Sequence, residues 1–154
     1  VALGMNYRMT DIQAALIISQ LDKLSLFQKR RKEIVEKYNE AFSKIPEITV
    51  QEEIPESDTT RHLYILRIKP EKLTIDRKQF FAAMAAENIC CNVHYIPVYR
   101  HPYYEELGYE KGLCPKAEKL YEEIMSLPLY YSLTDEDVDD VIHAVTKIVE
   151  NYRK

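Results

Sequence analysis

The sequence predicts an α+β fold: a small, mainly antiparallel sheet covered by helices. Three observations predict it. Apolar residues recur at helical spacing near both ends, as Ile34, Val35, Tyr38 and Phe42 and again as Val138, Val141, Ile142, Val145 and Ile148. Short runs of strand-forming residues lie between them, the clearest being His62-Leu63-Tyr64-Ile65-Leu66-Arg67-Ile68 before Lys69-Pro70. A chain of 154 residues, 46% hydrophobic and without repeats or low-complexity tracts, is long enough for one domain with a real core.

In chain order, residues 1–9 are irregular and punctuated by Gly4. Thr10-Asp11-Ile12-Gln13 reads as a capping box, with Thr10 as N-cap and Gln13 reaching back to it. Ile12, Ala15, Leu16 and Leu21 continue at helical spacing, and Leu24-Ser25-Leu26-Phe27 allows a bend. A second stretch through Phe42 stops before Pro46. Together these make a long amphipathic helix or helix pair packed beside the sheet. Ile48-Thr49-Val50 is a short strand candidate. Asp76 caps a helix that buries Phe80, Phe81, Met84 and Ala85, and Asn88 ends it in the left-handed conformation. Ile89 to His94 is predicted as a strand, with Cys90 and Cys91 on opposite faces. Pro115 starts a helix running to about Met125, and Leu127-Pro128-Leu129 is extended. Thr134 caps the last helix, whose Asp135, Glu136 and Asp137 suit its positive N-terminal end.

Composition excludes several functions. Average usage predicts roughly eleven glycines in this length; the chain has three, Gly4, Gly108 and Gly112. That excludes a P-loop or a dinucleotide fingerprint, both of which need clustered glycines to bring backbone N–H groups against phosphate. A net charge of −4 argues against a nucleic-acid partner. The one dense basic run, Lys29-Arg30-Arg31-Lys32, reads as a solvated helix face. No apolar run reaches the roughly 18 residues of a membrane span, and no signal peptide opens the chain. Three cysteines without metal-ligand spacing fit a reducing, cytoplasmic setting and no metal site.

Two segments are chemically unusual. His94-Tyr95-Ile96-Pro97-Val98-Tyr99-Arg100-His101-Pro102-Tyr103-Tyr104 places polar aromatics, two imidazoles and a guanidinium just after the predicted strand. Hydroxyls and imidazoles can hydrogen-bond sugars or phosphates; a packed aromatic loop is the competing explanation. Five of the twelve tyrosines fall between Tyr95 and Tyr109. Gly4-Met5-Asn6-Tyr7-Arg8-Met9-Thr10 precedes the capping box, where Asn6 could donate to an anion beside the free N–H groups of a helix start. Arg8 is assigned a structural role at the helix entry. His62 and His143 are assigned structural roles, and a Cys91–His94 catalytic pair is disfavoured because a three-residue strand spacing points the two apart.

Taken in order, these segments resemble one family. Gly4 to Ala15 (GMNYRMTDIQAA), Gln20-Leu21, the basic helix at 29–31, Asn92-Val93-His94-Tyr95-Ile96-Pro97, Ser126-Leu127-Pro128-Leu129 and Thr134-Asp135-Glu136-Asp137-Val138 are similar to the signatures of the DegT/DnrJ/EryC1/StrS sugar-nucleotide aminotransferases. The resemblance implies a fold type I enzyme dependent on pyridoxal 5'-phosphate. Such an enzyme is a homodimer that moves an amino group from glutamate to a nucleotide-linked keto sugar. It implies that residues 1–154 are the C-terminal (small) domain, with 1–45 a helical segment at the domain junction and 46–154 the α+β unit. The large domain with the Schiff-base lysine would precede Val1, and this chain alone would be inactive. Asn6 would reach the cofactor phosphate, and His94 and Tyr95 would approach the sugar nucleotide. The wording His-Tyr-Ile-Pro is closest to members acting at C4 of UDP-linked 4-keto-6-deoxy amino sugars, which feed surface glycans and spore-coat polysaccharide. A stand-alone, non-catalytic module binding a sugar or a protein is the alternative.

Overall fold

The computed structural model describes residues 7–154; Gly4 and Asn6 lie outside the described residues. Helix α1 (Asp11–Leu21) starts at the predicted capping box, with the Gln13 amide donating to Thr10 Oγ1 (3.3 Å) and the Thr10 amide to Gln13 Oε1 (2.9 Å). After a two-residue bend, α2 (Leu24–Phe42) follows. Only its second half packs as predicted, burying Ile34, Val35, Tyr38 and Phe42. Helix α1 buries nothing, so the expected packing of the whole N-terminal helical segment beside the sheet does not occur among the described residues.

Three strands form an antiparallel sheet in the order β1 (Ile48–Thr49), β2 (Tyr64–Ile68), β3 (Ile124–Leu127). Strand β2 alternates: Tyr64, Leu66 and Ile68 face the core, while Ile65 and Arg67 face the other side. Opposite them in register, Leu127 and Met125 join the core. Helices α2, α3 (Arg77–Ala86) and α6 (Asp135–Tyr152) close this face, contributing Phe80, Met84, Val138, Val145 and Ile148. The short α4 (Pro102–Glu106) lies in the tyrosine-rich segment, and α5 (Pro115–Glu123) packs on β2.

Two phenols inside this core show how polar groups are accommodated. The Tyr38 ring lies 4.9 Å from that of Tyr64, in an edge-on arrangement. Tyr38 donates to the Pro128 carbonyl (3.0 Å), and Tyr64 donates to Asn39 Oδ1 (2.8 Å). Burial pushes both phenols well above their ordinary titration range, so they remain neutral donors.

Five local expectations need correction. Of the four α3 residues expected to be buried, Phe80 and Met84 are, but Phe81 is half-buried and Ala85 is exposed. The strand predicted over 62–68 begins only at Tyr64, because Arg31 donates to the carbonyls of Arg61 (3.2 Å) and His62 (3.3 Å) and holds them off the ladder. The strand predicted over 89–94 reduces to one bridge, Asn92 with Ser126. There the Asn92 side chain accepts from the next amide, Val93 N (2.8 Å), a local bond that competes with strand pairing. The helix from Pro115 ends at Glu123 rather than Met125, because Ile124 to Leu127 are all buried as a strand against β2. The run at 29–32 is not simply solvated. Arg30 is half-buried, donating to the Leu133 carbonyl (2.6 Å) and to Asp135 (3.0 Å) in the first turn of α6.

The chain's last residues fasten the opposite edge. Tyr152 accepts from the Thr74 amide (2.8 Å), and Lys154 donates its amide to the Lys72 carbonyl (3.1 Å). Arg153 forks onto Glu47 (2.8 and 3.1 Å), whose side chain is buried. Burial opposes ionisation of Glu47, but the Arg153 bonds outweigh it and hold the carboxyl below the usual carboxylate range.

Candidate functional site

The end of β3 and the start of α6 bound a cleft of about 730 Å³. Its floor is Ser126 to Leu129; its walls are residues 87–90 with Asn92, His62 ahead of β2, and Asp137, Asp140 and His143 on α6. Each wall has a local cause. Asn88 takes φ 63°, the left-handed termination predicted for α3, and turns the chain along the cleft. The Tyr38 hydroxyl anchors Pro128, and Arg30 anchors Leu133. Thr134 caps α6 as predicted, and Asp137 reaches back to complete a capping box (Asp137 N to Thr134 Oγ1, 3.1 Å; Thr134 N to Asp137 Oδ2, 2.8 Å). Hydrogen bonds from the Thr134 side chain and amide hold the Asp137 carboxyl below its usual range.

The structure brings His94 to this cleft. Its Nδ1 lies 2.8 Å from the hydroxyl of Ser126, which is buried in β3. Tyr95 does not line the cleft; it is 74% exposed, with its ring edge-on to the His94 imidazole at 4.6 Å. The loop tyrosines as a group also stay out of it. Tyr99 donates to Glu118 Oε1 (2.7 Å), which also accepts from Gly112 N (2.7 Å), and Tyr103 and Tyr109 are exposed. The Gly112 and Tyr99 donors hold Glu118 below the usual carboxylate range, so this pair tethers the loop to α5. The tyrosine that does line the cleft is Tyr130.

His62 and His143, assigned structural roles from sequence, are exposed and share this cleft with His94. Three of the chain's four histidines therefore meet there. Nothing in their sequence positions signals this, because they come from a strand lead-in, a loop and a helix. The Cys91 thiol is buried, which pushes its pKa up to about 12 and leaves it unsuited as a nucleophile. No group of three or more His, Cys, Asp or Glu among the described residues has the placement to hold a metal ion.

A pyridoxal-phosphate site needs a lysine and a cradle for phosphate. None of the chain's thirteen lysines lines a described cavity. A shallow surface concavity at the start of α1 is lined by Tyr7, Arg8, Met9, Gln13, Leu16 and Ile17, one cation among mostly apolar side chains. The acid Asp11 lies in the first turn of that helix. These residues supply at most a wall, and they do not make a cofactor site by themselves. The expected Asn6 contact lies outside the described residues.

A sequence profile of the DegT/DnrJ/EryC1/StrS aminotransferase family matches residues 1–146. The spore coat polysaccharide biosynthesis protein SpsC of Bacillus subtilis is 42% identical over 149 residues, covering 96% of this chain and 38% of SpsC. The UDP-4-amino-4,6-dideoxy-N-acetyl-beta-L-altrosamine transaminase of Helicobacter pylori is 28% identical over 152 residues, covering 99% of this chain and 40% of that protein. Among solved structures, the PMP form of the sugar aminotransferase Spr1654 of Streptococcus pneumoniae superposes with a TM-score of 0.86 at 34% identity, over 94% of this chain and 36% of that one. A PLP form of the same protein matches equally closely in sequence. The chain thus spans about two-fifths of the length of the relatives it matches. With its three-stranded antiparallel sheet, its helical cover and its ordered motifs, the chain belongs to the DegT/DnrJ/EryC1/StrS aminotransferase family.

Proposed function

We propose that this chain is the C-terminal segment of a pyridoxal-phosphate-dependent, homodimeric sugar aminotransferase. That enzyme transfers an amino group from glutamate to a nucleotide-linked keto sugar, in the reducing cytoplasm. The observation that carries the reading is the family match over residues 1–146, at only about two-fifths of its relatives' length. The sugar would be a UDP-linked 4-keto-6-deoxy amino sugar aminated at C4, a choice supported by the activity for which the Helicobacter pylori relative is named. Surface-polysaccharide synthesis as the destination is supported by the name of SpsC.

In this reading the segment orients substrate and cofactor rather than making bonds. His94 faces the sugar nucleotide from the cleft, and Tyr95 packs against its ring and meets substrate from the exposed side. Asn6 holds the cofactor phosphate. Residues 1–45 form the junction with the large domain, an assignment supported by the bare apolar surface of α1. The lysine that carries the cofactor lies in that large domain, consistent with described cavities that no lysine lines. The same observation favours a second reading, a non-catalytic binding module.

The coding sequence upstream of Val1 separates the two: a large domain with a cofactor lysine supports the first, and a start codon at this boundary supports the second. Borohydride treatment of the purified chain with pyridoxal phosphate is expected to fix no label on any particular lysine. Label on one lysine would overturn the assignment of the anchor to another domain. In the intact enzyme, His94→Ala is expected to raise KM for the sugar nucleotide, and Asn6→Ala to weaken cofactor retention. Unchanged values would remove each residue from its role.

A further inference from the structure

The pairing between His94 and Ser126 carries more than contact. Ser126 sits in β3 with Ile65 opposite on one side and Asn92 bridged on the other, so its backbone is held from both flanks (Asn92 N to Ser126 O, 3.0 Å; Ser126 N to Asn92 O, 2.7 Å). The residue is 5% exposed, and its hydroxyl has one hydrogen-bond partner among the described residues, His94 Nδ1 at 2.8 Å. Two arrangements satisfy that distance. If Nδ1 carried the proton and donated to Oγ, the hydroxyl proton would have no acceptor among the described residues, and at 5% exposure Ser126 is poorly placed to use solvent in the cleft instead, at the desolvation cost of a poorly paired donor. If the hydroxyl donates to Nδ1, both groups are satisfied and the ring proton lies on Nε2.

We infer that Ser126 is a positioning residue that fixes His94 as the Nε2–H tautomer, so that His94 offers one hydrogen-bond donor to an acceptor oxygen of the cleft's ligand. This rests on the reading of His94 as a ligand-facing residue for its function, but not for its chemistry. A carbonyl or phosphate oxygen meets a donor that is already oriented, and a donor group on the ligand meets a repulsive partner. Nε2 has no hydrogen-bond partner among the described residues, which leaves it available. The rigid strand places the hydroxyl, and the hydroxyl selects the proton's position on the ring.

The test is long-range 15N–1H correlation on the chain labelled at histidine nitrogens. It is recorded above the ordinary histidine pKa of about 6.5 so that imidazoles are neutral. The His94 signals are assigned by their loss in His94→Gln. In the wild type, Nδ1 is expected at the unprotonated position and Nε2 at the protonated one. In Ser126→Ala both nitrogens are expected to move toward the averaged values of exchanging tautomers, and Ser126→Thr is expected to restore the wild-type pattern. A protonated Nδ1 in the wild type, or unchanged signals in a folded Ser126→Ala chain, would overturn the inference; if that variant fails to fold, the wild-type spectrum decides alone. In the intact enzyme, Ser126→Ala is expected to raise KM for the sugar nucleotide severalfold. The Ser126→Ala/His94→Ala pair is expected to be no worse than His94→Ala. A locked tautomer with a kinetically silent His94→Ala would sink the ligand reading while leaving the lock in place.

Discussion

Helices α1 and α6 begin alike and end in opposite environments. Each opens on a threonine capping box, Thr10 with Gln13 and Thr134 with Asp137, and each has an acid in its first turn. Helix α6 then confines its apolar residues to one stripe, and Val138, Val141, Ala144, Val145, Ile148 and Val149 are all buried. Helix α1 spreads Ile12, Leu16, Ile17, Ile18 and Leu21 around its surface and buries none; Ile12 is 76% exposed and Ile18 is 61% exposed. The difference teaches that starting a helix and seating it are separately encoded. A cap is read within four residues, whereas seating requires a surface, and for α1 the described residues do not provide one.

The contrast between the two helices sets a graded series of expected effects. Ile148→Ala, at a core position of α6, is expected to destabilise the chain by about 3 kcal/mol in urea unfolding. Thr134→Ala is expected to cost about 1 kcal/mol, because the lost cap belongs to a helix that is part of the cooperative core. Thr10→Ala should lower helix content by circular dichroism and leave the urea midpoint in place; a matching midpoint shift would show that α1 is seated after all. Acid provides a third contrast, between the C-terminal fastening of α6 and the unfastened α1. The Glu47 carboxyl is held below its ordinary range in the folded chain. Its contribution to stability is therefore present above that range and lost as pH falls through the folded value. Glu47→Gln should narrow its stability gap to the wild type as unfolding is measured at progressively lower pH. Smallest of all, Leu16→Ala is expected to change stability by no more than about 0.5 kcal/mol. An effect comparable to that of Ile148→Ala would break the comparison.

Much of the architecture was legible because it is local. The helix caps at Thr10, Asp76 and Thr134, the left-handed Asn88 and the buried stripes of α2 and α6 follow from spacing and side-chain chemistry. The misread stretches depend on distant partners. Ile124 to Leu127 became a strand because β2 lies beside it, and Arg31 shortened β2 from another helix. His94, singled out in the sequence, lies in the cleft, while most of the loop that follows it does not. The tyrosine-rich loop drew attention by composition, yet Tyr99 serves as a tether to Glu118 and the cleft takes His62, His143 and Tyr130 from three separate places. Composition locates unusual chemistry along a chain, and only the fold decides which of it converges.

The bare surface of α1 has a thermodynamic consequence. Eleven residues are near the lower limit at which a helix persists without support in water, even with a good cap. Such a helix samples open conformations freely, and anything that covers its apolar side chains shifts that sampling toward the ordered form. Ordering and covering are then two sides of one linked equilibrium. Amide hydrogens of α1 should exchange fast in the isolated chain and slow down in proportion to how fully a partner surface occupies it, so their protection would serve as a gauge of assembly.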